Sequence, residues 1–165
     1  AYACRFGAMK YQMREMDISS CLKSVIETYR DRFKSSEIDL SESISDVSIF
    51  LGDSYRLEQL FTNLIENTLR YTDSPGKLII DLIEGNENIQ ITFSDSTPGV
   101  GSDVIEKIFD RFFREELSRS REKGGAGLGL AICHEIVEAH SGEIKAEPSD
   151  LGGLSIQILL PRGDS

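Results

Sequence analysis

The chain has no apolar run near the ~18 residues that a membrane-spanning helix needs. Its most apolar short stretch, "KLIIDLI", is only strand length. Nor does its beginning carry the long apolar core of a secretory leader. If the full protein touches a membrane, it does so through segments outside these 165 residues, and this chain is expected to make no direct membrane contact. Cysteine is scarce. Cys4, Cys21 and Cys133 are odd in number and scattered, which fits neither a disulfide framework nor metal-ligand spacing. They read as buried or bystander thiols of a reducing cytoplasm. Positive charge is also short, with 18 Lys and Arg against 28 Asp and Glu, a net charge of −10. That balance argues against a nucleic-acid partner, which would need a basic face. Histidine appears only at His134 and His140.

What is present is an ordinary globular composition, 39% hydrophobic and 28% charged, in a length that suits one domain with its own core. Residues 1–10 show no clear period and are expected to be a linker or a cloning remnant, with the domain proper over 11–165. "KYQMREMD" alternates weakly, as a strand does. Ile18, Leu22, Val25, Ile26, Tyr29 and Phe33 recur at helical spacing. "IDLSESI" and "VSIFL" read as two short strands of a hairpin. Asp53 is placed to cap a helix whose buried stripe is Leu57, Leu60, Phe61, Leu64, Ile65 and Thr68. "DSPGK" is a turn. "KLIIDLI" and "NIQITFSD" then read as paired strands. Helices are expected over "SDVIEKIFDRFF" and from about Leu128 to His140, and "GEIKAEPSD" with "GGLSIQILLP" as a final hairpin. Together they predict an α/β two-layer sandwich, a mixed and largely antiparallel sheet with helices on one face.

Three stretches could carry chemistry. Asn63, Asn67 and Arg70 share one face of the "FTNLIENTLRYT" helix, away from its apolar stripe. A carboxamide oxygen is a hard ligand suited to Mg²⁺, and a guanidinium can neutralise phosphate. The plainer reading is the polar outer face of an amphipathic helix. In "DSTPGVG", Asp95 sits where a strand ends, and its carboxylate could accept a hydrogen bond from an exocyclic amino group. Gly99 and Gly101 would let backbone approach a ligand closely. In "GGAGLGL", Gly124, Gly125, Gly127 and Gly129 precede or open a helix, where amide donors and the helix dipole favour phosphate. The chain contains neither a P-loop nor a dinucleotide-binding fingerprint, and lacks the motifs that accompany a protein-kinase glycine loop. One basic segment stands against the acidic background, with Arg111, Arg114, Arg119, Arg121 and Lys123 among Glu115, Glu116 and Glu122. It reads either as a local patch for a polyphosphate or as a solvated loop.

The order and spacing are more specific than any part. N-x-x-x-N on a helix, D-x-x-x-G after a strand, "FDRFFR", then G-x-G-L-G-L opening a helix resembles the catalytic and ATP-binding domain of bacterial sensor histidine kinases, in the superfamily shared with gyrase, Hsp90 and MutL. The resemblance runs from about Tyr11 to Pro161 and implies the Bergerat-type ATP-binding fold. It also implies roles. Asn67 would coordinate Mg²⁺ with Asn63 in support, Arg70 and Tyr71 would contact phosphate and nucleotide, and Asp95 would recognise the adenine amino group beside Gly99. Phe109, Phe112 and Phe113 would hinge a lid over residues 115–126, and the Phe side chains would equally serve as core. Arg114 would reach the phosphates, and Gly125, Gly127, Leu128 and Gly129 would line them. The usual D-x-G-x-G is broken by Thr97 at its first glycine position.

Asn63 discriminates within the superfamily. Hydrolytic members carry a Glu there to activate water, and a carboxamide has no basic lone pair for that proton at neutral pH. Glu66 is a nearby carboxylate, rotated about 60° around the helix, and remains a weaker candidate base. The implied reaction is therefore transfer of the γ-phosphoryl group of ATP to a histidine on a separate dimerisation domain, and onward to a response regulator. The implied setting is the cytoplasmic domain of an inner-membrane sensor kinase. "HEIVEAH" has an acid beside His134 but lacks the basic residue and proline that follow a phosphoacceptor, so both histidines are expected to be structural. The competing readings are an ATP-sensing module without transfer, disfavoured by the complete motif set, and a gyrase- or Hsp90-type hydrolase, disfavoured by Asn63.

Overall fold

The computed structural model describes residues 2–6, 9–47, 49–96, 98 and 126–162. Strand β1 (Tyr2–Phe6) pairs antiparallel with β2 (Met9–Met16). Helix α1 (Ile18–Ser35) is followed by β3 (Ile38–Ile44) and the short β4 (Phe50–Gly52). Then come α2 (Ser54–Tyr71), β5 (Gly76–Glu84), β6 (Asn88–Ser96), α3 (Ala126–Ala139), β7 (Glu143–Pro148) and β8 (Gly152–Pro161). The strands form a five-stranded sheet in the order β3-β5-β6-β8-β7 and a smaller sheet in the order β1-β2-β4. Only the β3–β5 pair of the larger sheet is parallel, which bears out the mixed, largely antiparallel reading.

Both long helices start where a carboxylate replaces the missing intrahelical partner. Asp17 accepts from the backbone N–H of Ser20, and Asp53 from that of Arg56, each at 3.0 Å. Their apolar stripes are buried as the spacing predicts: Ile18, Leu22, Val25, Ile26, Tyr29 and Phe33 on α1, and Leu57, Leu60, Phe61, Leu64, Ile65 and Thr68 on α2. The sheet supplies the facing surface by strict alternation. Leu78, Ile80 and Leu82 of β5, Ile89, Ile91 and Phe93 of β6, and Ile156, Ile158 and Leu160 of β8 point into one core with the helices. Their neighbours Ile83 and Leu159 lie exposed on the other face. Among the described residues, helices therefore cover one face only.

One expectation is corrected. "IDLSESI" and "VSIFL" do not form a hairpin: β3 lies parallel to β5, while β4 pairs Phe50–Gly52 with Arg14–Met16 of the other sheet. The intervening chain is pinned rather than turned back. The Ser45 N–H donates to the Leu82 carbonyl, and the Ser19 hydroxyl donates to the Ser45 carbonyl while accepting from the Val47 N–H. Alternation identifies a strand but not its partner. Within the first ten residues lie β1 and the start of β2. β1 is held by its pairing with β2, which a one-strand pattern does not reveal. α3 begins two residues earlier than the expected Leu128. The helix expected over residues 102–113 lies outside the described residues.

Phe61 is fully buried and stacks on Phe93 across the helix–sheet interface, ring centroids 6.5 Å apart. Phe61→Ala should cost about 3–5 kcal/mol, seen as a lower urea midpoint with an unchanged slope.

Candidate functional site

The register of α2 against α3 brings the motifs together. At one end, the Asp53 N–H donates to Nε2 of His140 at 3.0 Å. Seven residues along α2 and seven back along α3, the Cys133 thiol lies 3.8 Å from the Leu60 carbonyl. The helices therefore run antiparallel with matched rise, and one more step of seven sets Asn67 level with Ala126, the first residue of α3. The glycine-bearing start of α3 thus faces the Asn67 end of α2. Thr72 caps α2 and Gly76 opens β5 after a turn that contains the cis Ser74–Pro75 bond. The Lys77 N–H donates to the Ser96 hydroxyl at 2.9 Å, and Leu78 pairs with Asp95. The strand end bearing Asp95 is thereby tied to the chain leaving the same end of α2.

Within this end the side chains differ in burial. Asn63 and Asn67 are half-buried, and Arg70 is exposed on the last turn of α2 beside the half-buried Tyr71. The Asn67 Oδ1 atom is buried and has no hydrogen-bond partner among the described residues. A solvated outer face would not bury such an acceptor. A lone buried carbonyl is costly unless something else completes it. Asp95 accepts the Leu154 N–H on Oδ1 at 2.8 Å. Burial pushes its carboxyl up to about 6, and the Leu154 bond pulls the other way. At neutral pH the group stays ionised and able to accept.

Glu66 of α2 accepts the phenol O–H of Tyr29 on α1. Burial first, then this bond to Glu66, raises the Tyr29 hydroxyl to about 12. His134 is half-buried, with its Nδ1 3.0 Å from the Glu138 carboxylate one turn on. His140 is buried. Its Nδ1–H donates to the Ile136 carbonyl at 2.8 Å, which leaves Nε2 as the acceptor for Asp53. Thr97, Gly99, Gly101, Phe109, Phe112, Phe113, Arg114, Gly124 and Gly125 lie outside the described residues, as do the basic segment and residues 115–125 of the expected lid. Gly127, Leu128 and Gly129 are in the α3 backbone. Sequence reasoning did not single out Tyr29 or Leu154, since each acts through a long-range bond with no local signal.

Residues 52–164 match the family described as histidine kinase-, DNA gyrase B-, and HSP90-like ATPase. The chain belongs to that family. Within it, this is an ATP-binding domain of the sensor-histidine-kinase type. It is 48% identical over 155 residues to the signal transduction histidine-protein kinase BaeS of Escherichia coli strain K12, covering 94% of this chain and 33% of that protein. Against the sensor histidine kinase WalK of Bacillus subtilis strain 168 the figures are 35% over 162 residues, 95% and 26%. The ATPase domain thus spans about a third or less of these curated relatives. Its fold is that of the nucleotide-free catalytic domain of the histidine kinase ThkA, with a TM-score of 0.80 at 24% identity over 92% of this chain and 98% of that one. Full-length ShkA in complex with AMPPNP gives a TM-score of 0.78 at 24% identity, covering 96% and 33%. No helix among the described residues is long and apolar enough to cross a membrane.

The His140 link is open to a direct test. Burial holds its imidazole below the ordinary value of 6.5, so the folded protein keeps it neutral while the unfolded chain takes a proton. Its contribution is complete above about pH 6.5 and falls as the pH drops towards and through the lowered folded value. His140→Phe should cost about 1–3 kcal/mol at pH 8 by orphaning the Asp53 N–H. Urea titrations at several pH values should also show that the variant loses this part of the acid sensitivity.

Proposed function

We propose that this domain binds ATP with Mg²⁺ and donates the γ-phosphoryl group to a histidine on a separate dimerisation domain of the same kinase. In this reading the whole protein is a membrane-anchored sensor kinase with its ATPase domain in the cytoplasm, and a response regulator receives the phosphoryl group. The observation that carries the site is the buried, unpartnered Asn67 Oδ1 level with the start of α3. Among the described residues no group of three or more His, Cys, Asp or Glu side chains could hold a metal. A cation here would therefore rest on the Asn67 and Asn63 amide oxygens and on oxygens of the nucleotide, a hard-donor set suited to Mg²⁺. The metal would supply charge neutralisation at the phosphates.

The chain's own contribution is positioning. Arg70 and Arg114 draw off phosphate charge, Tyr71 lies along the nucleotide, and Asp95 accepts from the adenine amino group beside Gly99. The α3 start, with Gly125, Gly127, Leu128 and Gly129, offers amide donors to phosphate oxygens. The histidine nitrogen of the partner domain attacks the γ-phosphorus, the bond to the β-phosphate oxygen breaks, and ADP leaves. Water is a poor competitor. Asn63 cannot take its proton, and the Glu66 carboxylate is engaged by the Tyr29 hydroxyl. That engagement favours transfer over hydrolysis. The AMPPNP complex of ShkA and the structure of ThkA with its response regulator TrrA are precedents in those proteins for nucleotide and regulator binding.

Calorimetric titration with a non-hydrolysable ATP analogue should give one saturable site that Mg²⁺ tightens, and Asn67→Ala should abolish that tightening while leaving Mg²⁺-free binding. A variant that keeps the Mg²⁺ effect would move the metal elsewhere. Affinity should fall as the pH drops through about 6, where Asp95 takes up a proton. Phosphate release into water at saturating ATP should stay near background until the histidine domain is added. Sustained hydrolysis by the domain alone would overturn the argument from Asn63.

A further inference from the structure

The β6–β8 ladder changes register beside Asp95. Ser94 pairs with Ser155 but Ser96 pairs with Gly152, so Asp95 of β6 faces two residues of β8, Gly153 and Leu154. This is a β-bulge, in which the extra residue leaves the regular ladder and the strand bends. Here the Leu154 N–H goes to the Asp95 side chain instead, meeting Oδ1 at 2.8 Å. The neighbouring position has no room for a side chain. A Cβ on Gly153 would lie 1.9 Å from the Ser96 carbonyl oxygen and 2.3 Å from Asp95 Oδ1. Gly152 takes φ 104°, a region that favours glycine, and so lets the strand enter the bulge. The pair "GG" before "LSIQ" thus does more than close a hairpin.

We propose that Gly153, with the Leu154 amide, is a positioning and specificity-determining element for the nucleotide base. The bulge fixes one oxygen of Asp95 so that the other is presented to an exocyclic amino group, and it makes the site prefer a 6-aminopurine over a 6-oxopurine. The inference rests on the adenine role assigned to Asp95. Gly153 touches no nucleotide in this scheme and acts only through the carboxylate. A methyl group at that position must displace the Asp95 side chain or the Ser96 backbone, and either movement breaks the aim. The Leu154 bond also stabilises the ionised carboxylate, so losing it should raise the pH at which Asp95 protonates.

The test compares ATP with ITP, whose base carries oxygen in place of the amino group, in calorimetric titrations with Mg²⁺. The wild-type chain should prefer ATP by about tenfold or more. Gly153→Ala should bring the preference to within about threefold, chiefly by weakening ATP. In the same variant the Asp95 carboxyl, followed by carbon NMR, should titrate above about 6. A purely structural role for Gly153 would weaken both nucleotides alike and leave the ratio intact, which overturns the proposal. In the wild-type chain the Leu154 amide proton should shift with the same midpoint as Asp95 and lose that titration in Asp95→Asn. If Gly153→Ala does not fold, this amide decides alone, and an amide blind to the Asp95 titration overturns the proposal. A wild-type chain that binds ATP and ITP equally would instead sink the adenine role of Asp95, and the specificity role with it.

Discussion

The hydrogen bond from the Asp53 N–H to Nε2 of His140 sets the arrangement on which the site depends. It joins the N-terminus of α2 to the end of α3, and both of its groups are committed elsewhere too. Asp53 caps α2 through Arg56 and accepts the Gln12 N–H of β2 at 2.7 Å, so one carboxylate ties the small sheet to the helix layer. His140 donates its other nitrogen to Ile136 and packs between Phe50 and Tyr11, stacking on the first and meeting the second edge-on. Elements far apart in the chain meet at this buried junction. With the register fixed there, Leu60 meets Cys133 and Asn67 reaches the level of Ala126. The geometry at the Asn67 end thus follows from a polar junction at the opposite end of the same two helices.

That division of labour explains why polar groups are treated so differently at the two ends. At the His140 end, the Asp53 and His140 side chains have the partners just described, as a folded core requires. At the Asn67 end a carbonyl oxygen is buried without one among the described residues, and Asp95 keeps a carboxylate where burial opposes its charge. Both features weigh against stability, and both are the properties expected of groups completed by a ligand. The satisfied junction holds the unsatisfied site in place.

Much of this was legible from the sequence because it is written in local period. The stripe of α2, its cap Asp53, the β5–β6 pair and the β7–β8 hairpin follow from residues within a turn or two of one another. The ordered motifs from Asn63 to Gly129 were legible in a different way, through family resemblance. What escaped were long-range choices. β4 looks like a partner for β3, yet Ser19 and Leu82 hold the connection apart and deliver it to β2. Tyr2–Phe6 looks structureless until β2 lies beside it. His140 reads correctly as structural, but nothing in "HEIVEAH" names Asp53, 87 positions away, as its partner. The bulge is the same kind of case. Two glycines before a strand signal a turn, and only the register against β6 shows that one of them makes room for a carboxylate.

In the proposed reaction, the Tyr29–Glu66 contact separates transfer from hydrolysis. A hydrolase needs a basic group beside the phosphates that is free to take a proton from water. Changing the position-63 side chain to a carboxamide removes one candidate but leaves Glu66 on the neighbouring turn. The Tyr29 hydroxyl donates to that carboxylate from α1 and so occupies one of its oxygens. The bond also turns Glu66 toward the α1 side of α2, while Asn67 lies at the level of the α3 start. In the proposed site, one helix would thus carry an acid and a cation ligand on adjacent residues without assembling a water-activating pair. In such a site the nucleophile must bring its own basicity, as the imidazole of a histidine does.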